Sequence, residues 1–266
     1  MTPRGLAAAR VVARVVARVA ARLREPGTPR VMAVRGTWHI AEHGPLEALG
    51  KNLWQVEATL PALPLGRRMV IARYASGELL VHNAVACDPP TMAAIEALGP
   101  ISFVIVPSGF HRMDVPAFAA RYPTCKILAM PRARGRVAAR ARVDGGPELL
   151  PADRHTRWEP LDGVPSEGVL LHDTSDGVVA VFNDCLQNHP DRLPGVKGLI
   201  LRALGSTGGL KVTPIARRFL VTDAAAHARQ LRRLAELGPV LIVPGHGALV
   251  RRDCAESLRA VADSLG

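Results

Sequence analysis

The stretch "GPVLIVPGHGALVRRD", residues 238–253, decides how the rest of the chain is read. Val240 to Val243 form an unbroken apolar run, short enough for a buried strand. It leads directly into Pro244-Gly245-His246-Gly247. Glycine on both sides lets the backbone turn sharply and project the imidazole into a shared cleft. In parallel α/β sheets, ligands collect beyond the carboxyl ends of strands. His246 is therefore a candidate metal ligand or proton carrier. The alternative is a turn histidine bonded to backbone.

Working back from that strand, "DAAAHARQLRRLAELG" reads as a helix, with Asp223 as its cap and Gly238 as its stop. "RRDCAESLRAVADSL" reads as the closing helix. Further upstream, "RHTRWEPL", "GVLLHD" and "VVAVF" read as strands, the last two joined by the turn residues "SDG". Residues 186–220 give no clear period; "GLILRALGSTGGLKVTP" suggests a short helix and a loop. In the first half, "NLWQVEATL", "RRMVIARY" and "ELLVHNA" are β-rich, and "ASG" turns between the second and third. "DPPTMAAIEALG" has the form of a helix capped by Asp88 and stopped by Gly99. Strand "ISFVIV", helix "VPAFAARYP" and strand "KILAM" follow at the spacing of parallel βαβ units. An Arg-rich helix is expected next. The class is α/β.

The chain has 266 residues, 48% of them hydrophobic, which supports a sizeable core. Its net charge of +11 is concentrated in two places: residues 1–30, with seven Arg against Glu25, and residues 131–143, with five Arg and no acid. Arg outnumbers Lys thirty to four, which also fits genomic base composition. Aromatics make up only 4%, leaving few rings for base stacking, so nucleic acid is disfavoured as a partner. Arg10, Arg14, Arg18 and Arg22 recur every fourth residue and draw a basic stripe down an N-terminal helix. Residues 1–30 are read as a basic extension ahead of a domain spanning 31–266. Contact of residues 3–24 with an anionic membrane is one use of that stripe; a solvated helix is the favoured one. Cys87, Cys125, Cys185 and Cys254 show no C-x-x-C pairing and read as free thiols of a reducing, cytoplasmic compartment. No G-x-S-x-G elbow and no G-x-x-x-x-G-K-[ST] loop occurs.

Three polar clusters follow buried strands: His111 and Asp114 after "ISFVIV", Asp184 after "VVAVF", and His246 after "VLIV". Imidazole and carboxylate groups converging from separate strands suit a zinc or iron site. Each has a plainer account as well. Asp184 can cap the segment after its strand, and Asp114 the helix that starts at Val115. His39 and His43 have the i, i+4 spacing of a helical metal pair but read as surface histidines, His172 as an edge or satisfied core residue, and His189 either as one that swings toward the Asp184 cleft or as a plain loop residue. His82 has no assignment.

From about residue 50 onward this order of elements, with its strand-Asp and strand-"PGHG", resembles the metallo-β-lactamase superfamily. "GELLVHNAVACDPPTMAAIEALGPISFVIVPSGFHRMDVPAFAARYP" is similar to a bacterial branch of it whose metal signature is rewritten. The resemblance implies an αββα sandwich of two pseudo-repeated halves and hydrolysis of esters, lactams, thioesters or phosphodiesters at a metal centre, often binuclear. The family's first motif, H-x-H-x-D-H, is replaced by "SGFHRMDV", where no single register keeps both His111 and Asp114. The family's "GH" before the strand-Asp is Gly163-Val164, and valine binds no metal. The ligands the resemblance carries over are His246, Asp184, His111 and Asp114, enough for one Zn, Fe or Mn ion but not a two-ion clamp. Two functions follow. One is a non-catalytic or weakly active descendant with no ion. The other is a mononuclear hydrolase of an ester, thioester or phosphoester. The small-molecule substrate or ligand itself is not specified.

Overall fold

The computed structural model describes residues 36–60 and 63–266. The expected N-terminal helix, and the boundary drawn at residue 31, lie outside them.

Two main sheets form. The first runs β1 (Glu47–Gly50), β2 (Leu53–Leu60), β3 (Leu63–Arg73), β4 (Leu79–His82), β5 (Ile101–Val106) and β6 (Lys126–Ala129), adjacent in that order. The second has the order β12-β9-β8-β7, from β7 (Thr156–Pro160), β8 (Gly168–Thr174), β9 (Gly177–Val181) and β12 (Leu241–Val243). A small ribbon pairs β10 (Gln187–His189) with β11 (Gly209–Lys211). Both sheets mix hairpins with parallel pairs: β4 with β5, β5 with β6, and β12 with β9 are parallel. The helices are α1 (Pro89–Leu98), α2 (Val115–Arg121), α3 (Pro131–Ala138), α4 (Gly195–Ala203), α5 (Pro214–Phe219), α6 (Ala224–Glu236) and α7 (Cys254–Asp263).

The period-two alternation of each strand assigns its side chains to layers. On β3, Val70 and Ala72 face the space between the sheets, while Met69 and Ile71 face outward onto α1 and α2. On β8, Leu170 faces the inter-sheet core, and Val169 and Leu171 pack against α6 and α7. β12 divides the same way, with Leu241 and Val243 inside and Ile242 outside. Three apolar clusters in series make an αββα sandwich. The α6 stripe through Ala228, Leu231, Leu234 and Ala235 supplies the helical side of the third.

Most local expectations hold at the residue level. Asp88 accepts from the Thr91 amide at 2.9 Å, and Asp223 from the Ala226 amide at 2.9 Å. Gly238 ends α6 with φ +60°. The Arg-rich stretch is α3. The four cysteines are free and buried. Residues 186–220 contain more structure than the sequence suggested. The short helix expected there is α4, while α5 and the three-residue strands β10 and β11 are too short to show a period. No helix among the described residues is long and apolar enough to cross a membrane.

Candidate functional site

The register of the second sheet builds the site. β9 and β12 are parallel, with Val181 opposite Val243. Asp184 and His246 each lie three residues beyond that pair, so matching offsets bring them to the same level. The Phe182 amide donates to the Val243 carbonyl at 2.9 Å and extends the pairing past the strand ends. The first sheet contributes the loop after β5, which carries Ser108 and His111.

The two glycines earn their places by different contacts. A Cβ on Gly245 would lie 2.9 Å from Asn183 Oδ1 and 3.0 Å from Asn183 Cα. Gly247 has φ +89°, and a Cβ there would lie 1.9 Å from the Asn188 carbonyl oxygen. Only a chain without side chains on either side of His246 can pass this close to the 183–189 segment.

At the centre, Nε2 of His111 is 2.8 Å and Nε2 of His246 is 3.0 Å from Asp184 Oδ1. One ligand atom from each of the three residues lies within 4.8 Å of the others. Their side chains are 7%, 8% and 13% exposed for His111, His246 and Asp184. Ser108 Oγ donates to Asp184 Oδ2 at 2.9 Å and fixes the carboxylate plane. His246 Nδ1 donates to the Gly66 carbonyl at 2.6 Å, which turns Nε2 toward the cluster. Burial alone would drive the His246 pKa down, but the hydrogen-bonded Asp184 carboxylate outweighs it and holds the pKa above the ordinary value. Burial likewise opposes ionisation of Asp184, yet His111 and His246 keep its carboxyl well below the usual range.

Asp114 stands apart from this cluster. Its Oδ2 pairs with Arg67 Nη2 at 2.5 Å and accepts from the Ala86 amide at 3.1 Å. It makes no side-chain cap on α2 either, so both roles expected of it are corrected. The reason is charge: Arg67 is 4% exposed and needs a carboxylate beside it. Of the two candidates in "SGFHRMDV", His111 reaches the cluster and Asp114 does not.

Of the other histidines, His43 differs from its expected setting, and the rest take settings the sequence left open. His43 is no surface residue: its side chain is 7% exposed, its Nδ1 donates to the Gly44 carbonyl, and its Nε2 accepts from the Asp88 amide. His172 lies inside the second sheet, satisfied by Thr156 Oγ1 and the Lys51 carbonyl. His189 sits in β10 and lines the same cavity as the cluster. Burial, with His246 nearby, lowers its pKa to about 4. His82 is buried between the sheets beside Trp158, their ring centroids 5.9 Å apart, and burial with His111 nearby lowers its pKa to about 3.

Two further residues gave no signal in the sequence. Arg68 on β3 is 3% exposed and donates to the carbonyls of Pro244 and Gly247 and to Glu57. A dibasic pair inside a strand reads as a solvated edge, so nothing pointed to it. Glu167 is fully buried beneath the cluster, its Oε2 accepting from the Cys185 amide at 3.0 Å. Burial, and then repulsion from Asp184, raise its pKa well above the usual range. An acid flanked by Ser166 and Gly168 looks like an ordinary turn residue.

No family model matches the sequence, and no curated protein matches it. Solved structures do match. The mono-zinc form of the metallo-β-lactamase FIM-1 from Pseudomonas aeruginosa is 13% identical, with 86% of this chain and 98% of that chain covered and a TM-score of 0.53. VMB-1 is 13% identical, with 85% and 99% covered and a TM-score of 0.55. A metallo-β-lactamase from Erythrobacter litoralis is 10% identical, with 85% and 98% covered and a TM-score of 0.55. With its two-sheet core, its flanking helices and these neighbours, the chain has the fold of the metallo-β-lactamase superfamily.

Proposed function

We propose that the protein is a mononuclear metal-dependent hydrolase, with His111, Asp184 and His246 holding the ion. The observation that carries this reading is the convergence of two Nε2 atoms and a carboxylate within 4.8 Å. The donor set fits: two imidazoles and one carboxylate, with room for a water, is a catalytic zinc set, and the same set with open positions suits iron. The supports behind the ligands fit as well. A backbone carbonyl fixes the His246 ring and a hydroxyl fixes the Asp184 carboxylate, the outer contacts that metal ligands need. What an ion supplies here is a water acidified toward neutral pH and a polarised carbonyl oxygen.

The chain's own groups have separable tasks. Ser108 and Gly66 orient ligands. Arg68 holds the His246 loop by both ends. His189, kept neutral by burial, offers an uncharged polar contact on the cavity wall. The test is elemental analysis of purified protein. About one equivalent of zinc, iron or manganese is expected, and less than about a tenth in His246→Ala or Asp184→Ala.

A second reading, a non-catalytic descendant, has one observation in its favour. Both Nε2 atoms already lie within hydrogen-bond distance of the same Asp184 oxygen, so the three side chains can satisfy one another without an ion. Less than about a tenth of an equivalent after metal-supplemented expression would establish it in place of the hydrolase.

A further inference from the structure

The cavity above the cluster has a polar end and an apolar body. Its volume is about 500 Å³, within the range of small-molecule sites. His111, Asp184 and His246 stand at the polar end. The wall leading away from them is mostly hydrocarbon: Leu65 from β3, Ile200 and Leu204 from α4 and its end, Ile215 and Phe219 from α5. The rim continues it, with Leu63 41%, Phe110 42% and Met113 55% exposed. Predominantly apolar surface running from solvent to a polar floor, with Lys197, Gln187 and Thr213 set among the hydrocarbon, suits a molecule with one polar head and one hydrocarbon tail.

The head is a carbonyl group in preference to a phosphoester. A phosphoester's charge calls for guanidinium forks. Of the two buried guanidiniums near the cluster, Arg68 is turned to the Pro244 and Gly247 carbonyls, and Arg67, which lines the cavity, has its charge matched by Asp114 at 2.5 Å. Lys197, the other cation of the lining, is a point charge and not a fork. A carbonyl oxygen needs only one polarising point, and the cluster surrounds one.

We propose that the cavity takes a medium-chain acyl ester or thioester, with its carbonyl at the cluster and its tail along α4 and α5. The reaction rests on the hydrolase reading above; the tail site does not. In the reaction the bond between the acyl carbon and the leaving oxygen or sulfur breaks. Water gives its hydroxyl to the acyl carbon and its proton to the departing alcohol or thiol.

The experiment begins with full-length protein stripped of metal, titrated with octanoate and decanoate by calorimetry. Saturable binding is expected, about tenfold tighter for decanoate, from the two added methylenes. Leu204→Glu, on the wall, and Met113→Glu, on the exposed rim, should each weaken decanoate about tenfold by setting a carboxylate against the tail. The second arm measures kcat/KM of zinc-loaded protein on p-nitrophenyl acyl esters, expected to rise about a hundredfold from hexanoate to decanoate. Decanoate binding without zinc uptake keeps the tail site and sinks the hydrolase; zinc uptake without decanoate binding does the reverse. Failure of the full chain to bind decanoate overturns the proposal. That holds equally where neutral phosphatidylcholine vesicles, a second copy, or the chain's own residues 1–35 turn out to cover the cavity. Binding with no dependence on chain length overturns it too.

Discussion

Replacing Arg68 with methionine tests whether the His246 loop is held from the opposite sheet. The side chain is 3% exposed, and methionine fills much of its volume without its charge. Arg68 donates Nη1 to the Pro244 carbonyl and Nη2 to the Gly247 carbonyl at 2.9 Å. It also meets Glu57 at 3.2 Å, but that carboxylate is 51% exposed, and a solvent-screened pair contributes at most a fraction of a kcal/mol. The loss therefore centres on two carbonyls left without a donor. A buried acceptor abandoned in this way costs about 1–3 kcal/mol. Pro244 is buried and Gly247 half-buried, so the two together come to about 4 kcal/mol. Relief from burying the guanidinium, whose pKa burial already pulls down, offsets about 1 kcal/mol. The net expectation is a loss of about 3 kcal/mol, read from urea unfolding with the slope unchanged. Arg68→Lys should recover less than half, because an ammonium cannot fork to both carbonyls. Zinc affinity should fall about tenfold in Arg68→Met, as when an outer support of a metal ligand is removed. Stability within about 0.5 kcal/mol of the parent, or a lysine variant equal to the parent, refutes the clamp.

Three other outcomes follow from the same contacts. Gly247→Ala sets a methyl 1.9 Å from the Asn188 carbonyl at φ +89°, and should cost more than about 3 kcal/mol in urea unfolding. His227 is fully buried, and burial lowers its pKa from 6.5 to about 4, against the opposing pull of Asp162. Because the folded pKa is below the unfolded one, its contribution is whole above pH 6.5 and is lost as pH falls toward 4. Over that window it amounts to about 3 kcal/mol, and His227→Leu should flatten the unfolding profile there by about that much. Glu167, whose pKa burial and Asp184 raise well above the usual range, should accept glutamine at neutral pH with a change under about 1 kcal/mol; a loss above about 3 kcal/mol means an ionised, paired carboxylate.

The parts of the fold that read clearly from sequence are those where one physical rule acts alone. Asp88, Asp223 and Gly238 mark helix ends through local hydrogen bonds and φ, independent of anything distant. The apolar runs of β5, β9 and β12 are largely buried strands and read as such. Asp184, His111 and His246 were legible because each follows such a run, and strand ends point one way in a parallel sheet. Asp114 misled because its partner, Arg67, is 47 residues away and one rule, helix capping, offered a nearer explanation. Arg68 was silent for the same reason: its acceptors lie 176 and 179 residues downstream. β10, β11 and α5 have three, three and six residues, too few to complete two periods of pattern.

The long-range contacts that the sequence hid are the ones that make the site a joint between the sheets. Arg68, on β3, grips the loop after β12; His246, on that loop, donates back to Gly66 on β3. Ser108 and His111, after β5, hold Asp184 after β9. The three candidate ligands are thus also ties across the sandwich, and an ion bound by all three would bind the native state and not the unfolded chain. Stability must then rise with metal by RT ln(1 + [L]/Kd), about 2.7 kcal/mol at a hundredfold excess over Kd. Asp184→Ala should abolish that increment, whereas Glu167→Gln, which leaves all three ligands in place, should keep it. A zinc-dependent rise of the same size in Asp184→Ala would mean the ion sits elsewhere, and the joint between the sheets would have no part in holding it.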